Sequence, residues 1–222
     1  MPPAPRPAPP VRRALLLCLF ASLGCQSVYY DAMERLGKHK RHILRDRVEA
    51  ARGEQQEAEE QFQTAYERFV QLTGYPGGDL EEVYTRLAGE LSKSEEKADA
   101  VRQRIDSIED VAGDLFAEWE AELELIQNPR LRSDSAASLA DTKQRYGQLI
   151  RAMQRAEQKM DPVLVAFRDQ VLYLKHNLNA RAIAAIESDV AEIEGDVAAL
   201  IEEIRLSIRE SESFLETLGD TA

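Results

Sequence analysis

From Leu44 onward, apolar residues return every third or fourth position: Leu44, Val48, Ala51, Gln55, Ala58, Phe62, Ala65, Phe69 and Leu72, with Gln55 the one polar member. Such spacing puts every member on one face of an α-helix and predicts a buried seam. The seam stops at Gly74-Tyr75-Pro76-Gly77-Gly78-Asp79, where glycine frees the backbone and proline removes a donor, so a turn is predicted there. A second seam runs through Tyr84, Leu87, Leu91, Ser94, Ala98, Val101, Ile105, Ile108, Ala112, Leu115, Trp119 and Ile126, with Glu122 its one charged position, and breaks at Asn128-Pro129. The third comprises Leu139, Thr142, Tyr146, Leu149, Met153, Ala156, Met160, Val163, Phe167, Val171, Leu174 and Leu178. It passes over Pro162, which either kinks the helix or starts a new one, and slips by a residue near Val171. The last seam is Ile183, Ile186, Val190, Ile193, Val197, Leu200, Ile204, Ser207, Ser211, Phe214 and Leu218, with Asn177 and Asn179 as cap and turn residues before it.

Four helices are therefore predicted, over 28–73, 80–127, 134–177 and 180–218, each about 60 to 70 Å long at 1.5 Å per residue. Similar lengths joined by short turns point to an all-α fold, an elongated antiparallel four-helix bundle or coiled coil with up-down-up-down order. A rod of two long hairpins, or helices exchanged between protomers, is the alternative for the same pattern. No repeat of 20 to 50 residues marks a solenoid. Composition agrees, since aromatic residues are only 6% of the chain and six of its nine prolines precede Val11.

Those first residues form a separate unit. Arg12 and Arg13 precede the apolar run Ala14 to Leu23, which ends in Gly24-Cys25: a charged n-region, a short h-region and a small residue before a cleavage point. The run is about half of the roughly 20 residues a bilayer core demands, which excludes a transmembrane helix. Ser22-Leu23-Gly24-Cys25 resembles the lipobox of bacterial lipoproteins, in which the cysteine thiol takes a diacylglyceryl group before cleavage and the freed amine is then acylated. Residues 1–24 are accordingly expected to be a signal peptide, and residues 25–222 a single helical domain beginning at lipidated Cys25. By the same resemblance, Gln26 in place of an aspartate directs the protein to the periplasmic face of the outer membrane in preference to the inner membrane. The proline-rich start is unusual for an n-region, and translation beginning at Val11 would give a more compact leader.

The chain carries a net charge of −12, and loss of the three arginines in residues 1–24 takes it to −15. A surface this acidic repels phosphate backbones and excludes nucleic acid as a partner class. Of the two cysteines, Cys18 lies in the leader, so Cys25 alone remains and no intramolecular disulfide can form. Against this acidity, Arg35, Lys38, Lys40, Arg41, Arg45 and Arg47 cluster with Asp46 as their one acid. Near a lipid anchor they could meet anionic headgroups or peptidoglycan carboxylates, each cation contributing about 1 kcal/mol at a charged surface. A solvated helix face paired with neighbouring acids explains them equally well.

Other chemistry fares worse. His39 and His42 share a helix spacing that metals use, but they sit among cations with no completing acid or thiol. The Glu-x-x-His of di-iron bundles is absent, because Leu36, His39 and Tyr173 occupy the positions three before His39, His42 and His176. There is no G-x-S-x-G and no phosphate-cradling glycine loop. No enzyme activity, metal or cofactor is therefore expected. The densest polar-apolar mixture runs from Phe167 to Ala180, with Arg168 and Asp169 among apolar neighbours and Lys175, His176 and Asn177 at a helix end, where the dipole favours cations. An inter-helix polar network is favoured there over a docking patch.

The segments CQSVYYDAMERLGKHKRHILRDRVEAAR, EDVAGDLFAEWEAEL and MDPVLVAFRDQVLYLKHNLNARAIAAI resemble an uncharacterised family of Gram-negative lipoproteins defined only as a domain of unknown function. The likeness runs from Cys25 to about Phe214, with FRDQVLYLKHNLNA its most specific part. It implies the lipoprotein address and the helical fold, and brings no activity or catalytic residue. The expectation is a lipid-anchored structural or protein-interaction element of the envelope, with an envelope protein or peptidoglycan as partner and self-association left open. The alternative is a binding module for anionic envelope polymers.

Overall fold

The computed structural model describes residues 40–73 and 79–219, and four helices take up nearly all of them: α1 (Lys40–Thr73), α2 (Leu80–Leu125), α3 (Pro129–His176) and α4 (Ala180–Gly219). By compactness the chain divides into Met1–His42 and Ile43–Ala222. In the first unit only Lys40 to His42 are described, so the leader, Cys25, Arg35, Lys38 and His39 lie outside the described residues.

Local chemistry fixes where the helices begin and end. Asp79 caps α2, its carboxylate accepting from the backbone N–H of Glu81 at 2.9 Å and of Glu82 at 3.4 Å, while those two acids meet the positive end of the helix dipole. Asn128 does the same for α3, accepting from Arg130 N at 3.0 Å and Leu131 N at 3.3 Å, and Pro129 occupies the first turn, where its missing N–H costs nothing. The dipeptide that ends the second seam is thus also the start signal of the next helix, and α3 begins at Pro129 where the seam alone put its start at 134. Arg132 closes the turn between them by donating to the Ile126 carbonyl from Nε at 2.9 Å and Nη2 at 2.7 Å. α3 is unbroken across Pro162, which lies on its exposed side, where water can take the hydrogen bond that the Gln158 carbonyl loses.

Side-chain bonds set the order of the helices. Glu54 meets Lys97 and, further along α1, Gln61 meets Glu90, so α1 and α2 are antiparallel. In the same way Arg168–Glu95 and Lys143–Glu120 join α3 to α2, Gln170–Asp189 and Arg155–Glu203 join α3 to α4, and Arg52–Glu212 and Arg205–Glu59 join α1 to α4. Each helix thus has two antiparallel neighbours. The stacked rings of Phe69 and Phe167, 4.6 Å apart at 11°, join α1 to α3 across the middle. The result is an antiparallel four-helix bundle.

The core is the set of seams. Leu44, Val48, Ala51, Gln55, Ala58, Phe62, Ala65 and Phe69 are all buried, as are Leu87 to Ile108 of the second seam at heptad spacing and Ile186 to Leu218 at most positions of the fourth. Val111, Phe116, Ile150 and Leu164 are buried although they lie beside the seams. A strict seven-residue repeat drifts by about 20° per heptad on a straight helix, which brings neighbouring positions inward as the helix lengthens.

Candidate interaction surfaces

Ile43, Leu44 and Val48 hold the start of α1 in the core. At 100° per residue Arg45 lies on the solvent side of that stripe, whereas Arg47 falls between Ile43 and Leu44; Lys40 and Arg41 are half-buried. Arg45 is exposed and Arg47 half-buried, and neither makes an ion pair with a described residue.

The 167–180 run divides by side. Arg168 points sideways to an ion pair with Glu95 of α2, while Asp169 is exposed on the outward stripe between Val165 and Leu172, which are also exposed. The buried polar group of this run is Gln170, whose amide donates to the Asp189 carboxylate at 2.9 Å. Its spacing of three from Phe167 and four from Leu174 was the signal for it. Lys175 and His176 are exposed in the last turn of α3. Asn177 ends the helix, its N–H donating to Leu174 O at 3.1 Å and its side-chain amide to Tyr173 O at 2.9 Å.

Inside the bundle the polar seam positions satisfy one another. Gln55 donates to Ser207 Oγ at 2.8 Å, the Ser207 hydroxyl donates back to Gln55 Oε1 at 3.1 Å, and Ser211 donates to Ser207 O at 2.8 Å. Ser94 donates to Glu90 O at 2.9 Å, and Gln61 donates to the Glu90 carboxylate, holding that carboxyl below its ordinary pKa.

Between helices, ionic hubs bridge the grooves. Arg102 bonds Glu157 at 2.6 Å, Asp99 at 2.8 Å and Asp161 at 2.5 Å, which stabilises its charged form further. Lys97 bonds Glu57 and Glu54, and their carboxylates raise its pKa. Near the end of the packed region Tyr146 meets Phe116 edge-on at 5.3 Å, and burial, with the Glu109 charge second, pushes its phenol up to about 12. These acids and bases are spent on holding helices together. Among the described residues no group of three or more His, Cys, Asp or Glu is placed to hold a metal ion.

One surface was not singled out by sequence. The end of α2 and the start of α3 form a hairpin in which residues 117–138 are exposed or half-buried, and Trp119 donates to Ser135 at 2.9 Å across it. Leu125 is 75% exposed and Leu131 57%.

Packing and surface together define an all-α antiparallel bundle, charge-paired along its grooves. The chain belongs to the family described as a protein of unknown function, DUF2959, whose model matches residues 29–218. No curated protein matches it. Among the described residues no helix is long and apolar enough to cross a membrane.

Proposed function

We propose that the protein is a lipid-anchored helical element of the bacterial envelope, held by acyl groups on Cys25 at the periplasmic face of the outer membrane. It acts by structural support or protein interaction and catalyses no reaction. The observation that carries this is Ser22-Leu23-Gly24-Cys25 closing a short apolar run after Arg12-Arg13. Inter-helix pairs such as Arg102–Glu157 and Lys97–Glu54, which use acids and bases for packing, support the non-enzymatic part. Three acyl chains make detachment negligible, because each buried methylene adds about 0.8 kcal/mol. Fractionation of cells producing the Cys25→Ser variant tests the anchor: the variant leaves the membrane fraction, and an unchanged distribution contradicts the proposal.

A second role draws on Arg45 and Arg47, which make no ion pair with any described residue. Together with Arg35, Lys38, Lys40 and Arg41 they would contact anionic lipid or peptidoglycan beside the anchor. Co-sedimentation of unlipidated protein with anionic vesicles or peptidoglycan tests it. Binding that persists after all six are changed to glutamine counts against this role.

A further inference from the structure

α1 and α4 are neighbours in the bundle but are not consecutive in the chain, so side chains alone hold them together. The other neighbouring pairs, α1–α2, α2–α3 and α3–α4, are consecutive, and a short connection keeps each pair close even when its contacts break. The unconnected boundary is also the one with least to bury. Between Val48 and Phe62, about 21 Å of helix, α1 turns only Ala51, Gln55 and Ala58 to the core. Opposite them, α4 turns only Ser207 and Ser211 inward between Ile204 and Phe214. Ala65 extends the alanine row, so small or polar side chains fill four of the eight buried seam positions from Leu44 to Phe69. An alanine buries far less apolar area than a leucine and stabilises correspondingly less.

The polar fasteners of α1 do not make up the difference. Arg52 approaches Glu212 of α4 to 3.6 Å, and its buried Nε finds no hydrogen-bond partner, leaving an N–H that water would satisfy on opening. Arg205 donates to Glu59 at 2.8 Å and Lys97 to Glu54 at 3.0 Å, each with its cation partly in solvent, and such pairs contribute little. Over a similar length α3 buries Leu149, Ile150, Met153, Met160, Val163 and Leu164. We propose that α1 is a releasable arm: it leaves α2, α3 and α4 as one unit, ahead of global unfolding, by parting first from α4 between Ala51 and Ala58. Its departure bares the inward face of α3, where Phe167 otherwise lies under Phe69. Release follows from the bundle's own packing, whatever the state of Cys25.

Native-state hydrogen exchange of the purified full chain, read by mass spectrometry at denaturant concentrations below the unfolding transition, gives the order of release. Amides from Val48 to Phe69 exchange through one shared opening, with protection about tenfold or more below that of Leu87–Ile108 and Leu149–Leu164. Arg102→Ala loosens α2 from α3 without touching α1. At low ionic strength it speeds exchange in α2 and α3 by about fivefold and leaves the opening of α1 unchanged, because those two helices stay packed while α1 is out. In an all-or-none bundle the variant would speed all four helices alike, and that result overturns the proposal. So do equal protection of the four helices in the parent chain, exchange of α4 ahead of α1, and protection that merely declines step by step from Phe69 to Val48, which is fraying from an end. None of these outcomes bears on the anchor, which fractionation tests separately.

Discussion

Gln55 on α1 and Ser207 on α4 are 152 positions apart in the chain, and each is fully buried with its side chain bonded to the other. In a seam of Leu, Val, Ala and Phe, such a pair fits only one register of α1 against α4. Sliding either helix by one heptad would set an amide against carbon. Polar core positions that specify register at some cost in stability are known from coiled coils. Gln55→Ala strands the serine and opens a cavity, and is expected to cost about 2 to 4 kcal/mol in chemical unfolding. Gln55→Leu with Ser207→Ala removes both partners and should recover to within about 1 kcal/mol of the parent. Equal loss in both variants would argue against the paired role.

The stack of Phe69 on Phe167 joins helices that share no groove. Phe69→Ala is expected to lower stability by about 3 to 5 kcal/mol, as large aromatic truncations in cores do. A loss under about 1 kcal/mol would mean that α1 is not packed against α3 at this level.

Arg102 gathers Glu157, Asp99 and Asp161 on a partly exposed groove. Its removal should therefore act differently from a core change: Arg102→Ala costs about 1 kcal/mol at low ionic strength, and the cost shrinks in about 1 M salt. Thermal unfolding at two salt concentrations separates the two kinds of contribution. An Arg102 effect indifferent to salt would count against the ionic account.

Tyr146 sets an alkaline limit. Burial raises its folded pKa to about 12, above an unfolded value near 10. Its contribution is complete below about pH 10 and is lost as pH rises toward 12, because only the unfolded chain releases the phenolic proton in that window. Tyr146→Phe should flatten the decline of stability with pH there and leave neutral pH little affected. Glu90, whose folded pKa is lowered chiefly by Gln61, acts in the opposite direction: its contribution is present above its unfolded pKa and is lost as pH falls through the folded one. Glu90→Gln should flatten the acid limb.

The helices and most of the core were legible because a seven-residue apolar repeat has one physical meaning along a chain this poor in glycine and proline. Even the buried polar groups announced themselves, Gln55, Ser94, Ser207 and Ser211 standing at seam positions. Phe116 and Ile150 escaped because the repeat and the helix are not commensurate. The start of α3 is hidden in the seam because Asn128-Pro129 ends one apolar pattern five residues before the place where the next was expected to begin, while the same pair caps the new helix. Arg168 and Asp169, read together as an inter-helix network, part company in space: a 100° step turns one toward Glu95 and the other to solvent.

The mass of the mature N-terminal peptide decides the proposed fate of Cys25. A chain that begins at Cys25 and carries a diacylglyceryl group on sulfur and an acyl group on its amine is the expected result. An unmodified cysteine, cleavage at another bond, or a mature protein that still contains residues 1–24 would contradict it.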